Sequence, residues 1–342
     1  MKAHYRLQDM IVFSLFFLLF TCKKSETADF PVKTAQVSGS NTVLTTTTTT
    51  VATTPVSSVP LVLNGISNRI ITGLDISGNT ANCITLTNCS NISIQSCTLH
   101  SSKGYGVYLY NCKNITVTNC FIYSVATGVC AVGGQTIVVS SNQFQNILGP
   151  KPRGQMVQFN KVTGAGNLIT SNKCENIAGL SNPEDVISIY QSSGTAASPI
   201  LITSNWIRGG GPSTTGGGIM LGDAGGAYIT AESNILVNPG QYGIAISSGT
   251  NIKVISNKIY GKQQIFTNIG LYVWNQYTVG CSLNTVSSNQ VKWFKSTGIE
   301  NDSWNEGNCG VVSGWSTNIW KAKIDSTILP VKIITATPFY KL

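Results

Sequence analysis

The feature that most constrains this chain is a position that recurs. Eight segments carry an alternating apolar strand, a polar residue, a Cys or Asn, and then a short apolar stretch. They read "ISIQSCTL", "ITVTNCFI", "IVVSSNQF", "LITSNKC", "ILITSNWI", "ITAESNIL", "IKVISNKI" and "NTVSSNQV". Cys97, Cys120, Asn142, Asn172, Asn205, Asn234, Asn257 and Asn289 share the position, at intervals of 23, 22, 30, 33, 29, 23 and 32 residues. Loops of variable length absorb the differences. A further strand precedes each one: "CITLT", "GVYLY", "GVCAV", "MVQFN", "VISIY", "GIMLG", "GIAIS" and "GLYVW". Alternation of this kind is the signature of strands, and repetition at a near-fixed period is that of a stacked array.

Composition agrees. Only 10% of residues are charged, 34 are glycine, and Asn, Ser and Thr fill the polar positions. No segment keeps a helical apolar period for more than a turn or two. If each repeat is one full coil, like strands stack ~4.8 Å apart in parallel sheets, with Ile, Val and Leu as inward ladders. The connections are expected to be right-handed. An Asn at a tight corner tolerates the left-handed conformation, and its stacked amide can bond the coils above and below.

These motifs give residues 61–310 a resemblance to the right-handed parallel β-helix proteins of the pectate-lyase-like superfamily. The resemblance implies an all-β fold, a single-stranded right-handed parallel β-helix of about 8–9 coils with an internal Asn ladder. It also implies a substrate groove whose floor is the first strand of each coil and whose walls are the flanking loops.

The ends of the chain read differently. Residues 1–21 carry Lys2 and Arg6 before "MIVFSLFFLLF" (Met10–Phe20), an apolar run too short to span a membrane. This stretch resembles a bacterial lipoprotein signal, which implies export, a lipid on Cys22, and a place at the cell envelope or outside the cell. Residues 22–60, with "TTTTTT" at Thr45–Thr50, read as a Thr/Ser/Pro-rich tether. Residues 311–342 read as a C-terminal cap, and Trp304, Trp315 and Trp320 are assigned to the ending of the repeat.

Without residues 1–21 there are 22 − 2 = 20 basic and 13 − 1 = 12 acidic residues, a formal charge of +8. Such a protein is drawn to anionic polysaccharide or lipid headgroups. The Lys and Arg residues form no run, which argues against nucleic acid. The expectation is a monomer that touches the membrane only through its lipid.

Ten cysteines in an exported chain raise the question of disulfides. Cys89/Cys112 and Cys97/Cys120 fall on neighbouring coils. Because Asn takes over the Cys120 position in later coils, Cys97 and Cys120 are read as reduced rungs. Cys89/Cys112 and Cys281/Cys309 stay open. No CxxC pair or accompanying histidine points to zinc.

For function, the outward positions of the first strands are the candidates. Tyr108, Tyr110, Gln158, Asn160, Ser188, Tyr190, Met220, Tyr272 and Trp274 form the floor, with Gln191, Asp223 and Asn275 on the following turns. Glu300 and Asp302 are expected to continue the floor. Aromatic rings beside amides and carboxylates suit a polysaccharide substrate. The longest loops add Lys151, Arg153, Glu184, Asp185 and Arg208 in adjacent coils.

Two chemistries follow. In β-elimination from a uronic-acid polymer, Lys151, Arg153 and Arg208 neutralise the substrate carboxylate and a basic group removes the C5 proton. Ca2+ on Glu184 and Asp185 is a weak metal candidate. In glycoside hydrolysis two carboxylates flank the scissile bond, and Asp185 with Asp223 fits poorly by register. The polygalacturonase pattern of paired Asp with "GHG" and "RIK" is absent from the sequence. A non-catalytic glycan-binding or spacer role is the third reading. The discriminating observation is whether Arg153, Glu184, Asp185 and Arg208 converge on the groove.

Overall fold

The computed structural model describes residues 55–150 and 154–336. The signal, Cys22, most of the tether, and Lys151 and Arg153 lie outside the described residues. Within them the chain winds as a right-handed parallel β-helix, and every paired strand is parallel. Each coil contributes to three sheets in turn. The first sheet begins at Leu61–Asn64 and Ile84–Thr87, continues through Val157–Asn160, Ile187–Ser193, Tyr242–Ile246 and Ile269–Val273, and ends at Ser303–Asn305. Three long strands, Thr98–Tyr110, Phe121–Val132 and Ile219–Glu232, bend from one sheet into the next.

The helix starts one coil before the first repeat read from the sequence. Ser67–Thr72 and Leu74–Asn79 pair with the following coil, and Val56–Ser58 pairs with Leu74–Ile76. The corner there is Gly73–Leu74, which hides the coil from a pattern built on Asn.

Inside, the aliphatic ladder of the second sheet runs Ile94, Val117, Val139, Ile169, Ile202, Ala231, Val254 and Val286, each 0% exposed. Close packing around the buried Trp293 strand fixes two glycines. A Cβ on Gly261 would lie 2.3 Å from the ring, and one on Gly270 would lie 2.6 Å from the Asp302 carbonyl oxygen.

The corner between the second and third sheets carries the polar ladder. Asn172 donates through Nδ2 to the Val139 carbonyl at 2.9 Å and to Asn205 Oδ1 at 3.0 Å. Its own Oδ1 accepts the backbone N–H and Nδ2 of Asn142, both at 3.0 Å. The pattern repeats through Asn205, Asn234, Asn257 and Asn289, and Asn318 extends it beyond the repeats read from sequence. The left-handed residue at this corner is not the Asn. It is the preceding residue, with φ near +56° at Ser141, Ser171, Ser204, Ser233 and Ser256. That turn leaves the Asn side chain aimed along the stack.

Cys97 and Cys120 occupy earlier rungs as buried free thiols. Cys120 Sγ lies 3.8 Å from the Ile94 carbonyl, the place the Asn amide takes in later coils. Cys89 and Cys112 are likewise free and buried, whereas Cys281 and Cys309 form a disulfide.

After Ile319–Trp320 pairs with the last third-sheet strand, the chain runs back along the outside of that sheet. Leu329, Ile333 and Ile334 pack with Phe121 and Val237. Glu175 accepts the Ile333 N–H at 2.7 Å, and Gln143 accepts the Thr335 N–H at 2.7 Å.

Replacing Asn205 by Ala removes two donors and two acceptor contacts from a buried stack and leaves the partners unpaired. Denaturant unfolding is expected to show a loss of about 3–4 kcal/mol. Ser204→Ala, on the exposed side of the same corner, is expected to stay within about 0.5 kcal/mol.

Candidate functional site

The register of the first sheet builds one continuous outer face. Across the coils, Thr85, Tyr108, Cys130, Gln158, Ser188 and Met220 line up, and Ala245, Tyr272 and Trp304 continue the row. A second row holds Thr87, Tyr110, Val132, Asn160, Tyr190 and Asp223. The expected floor residues therefore do share a surface. Tyr108 stacks against Tyr105 with ring centroids 5.0 Å apart, and Tyr110 is 40% exposed. Asn160, Tyr190 and Trp274 are half-buried, Gln191 is exposed at a left-handed turn, and Gln158, Ser188, Met220, Asp223 and Tyr272 are buried.

At the C-terminal end the face becomes aromatic. Trp274 and Trp304 lie 5.5 Å apart, Tyr272 and Trp304 6.4 Å, and Tyr242 meets Tyr272 edge-on at 5.3 Å. Met220, Ala245 and Ile269 fill the spaces between these rings. Trp304, in the segment that ends the repeat, lies on the first sheet: "SWN" is its tenth strand and Trp304 pairs with Tyr272. Glu300 and Asp302 do not continue the floor. Glu300 bridges back to Phe294 beside the third sheet and accepts from Lys292 Nζ at 2.7 Å. Asp302 accepts the backbone N–H groups of Trp293 and Lys321 at 2.7 and 2.6 Å, tying the terminal hairpin together.

The loop after Trp274 folds back over the face. Gln276 donates to the Tyr272 hydroxyl at 3.0 Å, and Tyr277 donates to Asp223 Oδ1 at 2.5 Å. Asn275 anchors the loop, accepting from Asn308 through its carbonyl at 3.0 Å, near the Cys281–Cys309 disulfide. Tyr277 and Gln276 went unread in the sequence because they act from a loop, where no strand register applies; Tyr277 reaches two coils back to Asp223.

Among the described residues, Arg208 does not converge with Glu184 and Asp185 as expected. Arg208 lies on the third sheet, paired with Glu175, and donates to the carbonyls of Ser326 and Leu329 at 2.6 and 2.7 Å. It holds the returning C-terminal segment and is absent from the groove. Glu184 accepts from Ser213 and Thr215 hydroxyls at 2.7 and 2.6 Å, which orders its loop. Asp185 is buried beneath it and accepts the Gly217 N–H at 3.1 Å and the Tyr242 hydroxyl. The two adjacent acids thus serve separate partners. No group of three His, Cys, Asp or Glu among the described residues could hold a metal ion.

Electrostatics follow burial. Desolvation, then the Asp185 carboxylate, raises the Tyr242 hydroxyl well above its ordinary range. The same two causes raise Tyr272, with Asp223 adding to them. Tyr277 is raised by burial and then by Asp223. All three stay protonated donors at neutral pH. Along the register of this outer face, the described strand positions carry Asp223 and no Lys or Arg, with Lys161 on the turn that follows Asn160.

Because these hydroxyls ionise at higher pH in the fold than in the unfolded chain, the stability linked to them is intact below pH about 10 and is lost as pH rises further. Tyrosinate absorbance at 295 nm should show a group of tyrosines still neutral at pH about 11 in the native protein. Titration of all tyrosines together near pH 10 would contradict this placement.

Residues 61–226 match the family described as the right handed beta helix region. No curated protein matches the sequence. Among solved structures, the chain is similar to PfbA, a surface adhesin of Streptococcus pneumoniae, at 13% identity and TM-score 0.43, covering 70% of this chain and 69% of that one. It is also similar to the DFA-IIIase of Arthrobacter chlorophenolicus A6 without its lid, at 10% identity and TM-score 0.37, covering 72% and 65%. The same enzyme in complex with DFA-III matches at 10% identity and TM-score 0.36, covering 75% and 73%.

Proposed function

We propose that the protein is directed at a polysaccharide, which it holds along the outer face of its first sheet. The observation that carries this reading is the aromatic floor of Trp274 and Trp304, backed by the buried Tyr272, continuing into the polar positions Asp223, Tyr190, Asn160 and Gln158. Exposed rings take the apolar faces of sugars, and neighbouring amides and hydroxyls take their OH groups. A face that runs over several coils suits a polymer more than a small ligand.

The charge of this face bears on the choice of chemistry. Elimination from a uronic-acid polymer needs positive charge beside the substrate carboxylate. Arg208, the described member of the three expected cations, is engaged with the C-terminal segment instead. Hydrolysis by Asp185 and Asp223 meets a different obstacle. Asp223 pairs with Tyr190, five residues beyond Asp185 along the strand direction, or about 16 Å between backbones. Paired glycosidase carboxylates stand roughly 5–9.5 Å apart. Recognition of a neutral glycan is therefore the reading that the described residues favour, ahead of cleavage by either route.

Incubating the full-length protein with neutral and uronic-acid polymers separates the readings. Retention of a neutral polymer without new reducing ends or absorbance near 235 nm supports recognition. Absorbance at 235 nm would restore the lyase, and new reducing ends without it would restore the hydrolase. Trp304→Ala and Trp274→Ala should each weaken retention about tenfold or more, since stacking on one ring contributes on the order of 1–2 kcal/mol.

A further inference from the structure

Two polar atoms on the first-sheet face are buried and have no hydrogen-bond partner among the described residues: Ser188 Oγ and Asn160 Oδ1. Ser188 is 0% exposed, and Asn160 is half-buried with its oxygen covered. Other buried polar atoms without a partner among the described residues, such as Arg208 Nε, Gln264 Nε2 and Trp293 Nε1, lie outside the first-sheet strands. Buried asparagines of the ladder make their full set of bonds, so two orphans on adjacent coils of one face need a cause.

Their placement supplies one. Gln158 pairs with Ser188 and Asn160 with Tyr190, so Asn160 and Ser188 are diagonal neighbours projecting to the same side. Diagonal neighbours on adjacent strands sit roughly 7–8 Å apart, a span that two neighbouring hydroxyl groups of one sugar bridge with ordinary bonds of ~2.8 Å. Tyr190 borders both, facing Asn160 across the coils and standing two residues from Ser188 on its own strand.

We infer that Asn160 and Ser188 form a subsite for the hydroxyl groups of a neutral glycan. The inference rests on the first-sheet reading above and narrows it. An amide oxygen only accepts, so the ligand must present a donor, which a sugar hydroxyl does and a carboxylate does not. Asp185 precedes Ser188 by three residues, and Asp223 pairs with Tyr190 on the next coil. The Asp223 carboxylate in this register disfavours an anionic sugar at the same place. The Ser188 hydroxyl can donate or accept, and completes the pair.

A polar atom kept for a ligand has a signature that a structural one lacks. Its removal costs binding and leaves the free protein as stable or more stable. Ser188→Ala and Asn160→Ala in the full chain are expected to weaken binding of a soluble neutral glucan, mannan or xylan at least about fivefold by calorimetry. The thermal midpoint of Ser188→Ala should be unchanged or higher. A lower midpoint with unchanged affinity would overturn the subsite, as would unchanged affinity in both variants. Weaker binding of polygalacturonate or alginate in these variants, with neutral polymers untouched, would overturn the neutral assignment. If Trp304→Ala weakens binding while Ser188→Ala and Asn160→Ala do not, only the subsite fails. If no polymer binds the unaltered protein, the first-sheet reading fails together with it.

Discussion

The buried amide stack from Asn142 to Asn318 is the constraint on which the rest depends. A parallel β-helix has no hairpin to set its register, so successive coils could slide or differ in length. Each Asn closes that freedom, because its amide is satisfied only when the rungs before and after lie one strand spacing away. With the corner pinned, loops of very different length can be inserted between coils without disturbing the sheets. The outer face of the first sheet is a product of this arrangement. Tyr272, Trp274 and Trp304 are neighbours because their strands are stacked, although the paired Tyr272 and Trp304 lie 32 residues apart in sequence.

The same constraint explains which polar groups matter. Most buried carboxylates here are structural. Glu175 holds the returning chain through Ile333, Asp302 ties the terminal hairpin, and Asp185 sits under Tyr242. Asp223 differs in being approached by a partly exposed tyrosine from a loop two coils away. Together with Tyr190 and Asn160 it lies where the aromatic floor meets the polar rows.

Much of the fold was legible in the sequence, because alternation and the Asn corner are local and repeat. The first coil escaped because Gly73–Leu74 replaces the Ser–Asn pair, and the left-handed residue was misplaced by one position. Side-chain destinations outside the strands were less legible. Loop position alone put Arg208 near Glu184 and Asp185, whereas a third-sheet strand carries it away from them. Glu300 and Asp302 resembled a continuing strand until the hairpin placed "SWN" in that register instead. A sequence pattern reports which face a strand residue takes, but not which coil a loop residue reaches.

The central claim is that a glycan lies on the outer face of the first sheet. Hydrogen exchange of the full-length protein with and without a retained polymer tests it most directly. Protection is expected in the strands Val157–Asn160, Ile187–Ser193, Ile269–Val273 and Ser303–Asn305 and in the loop around Tyr277. Protection confined to the second or third sheet would contradict the account, as would no change with any polymer.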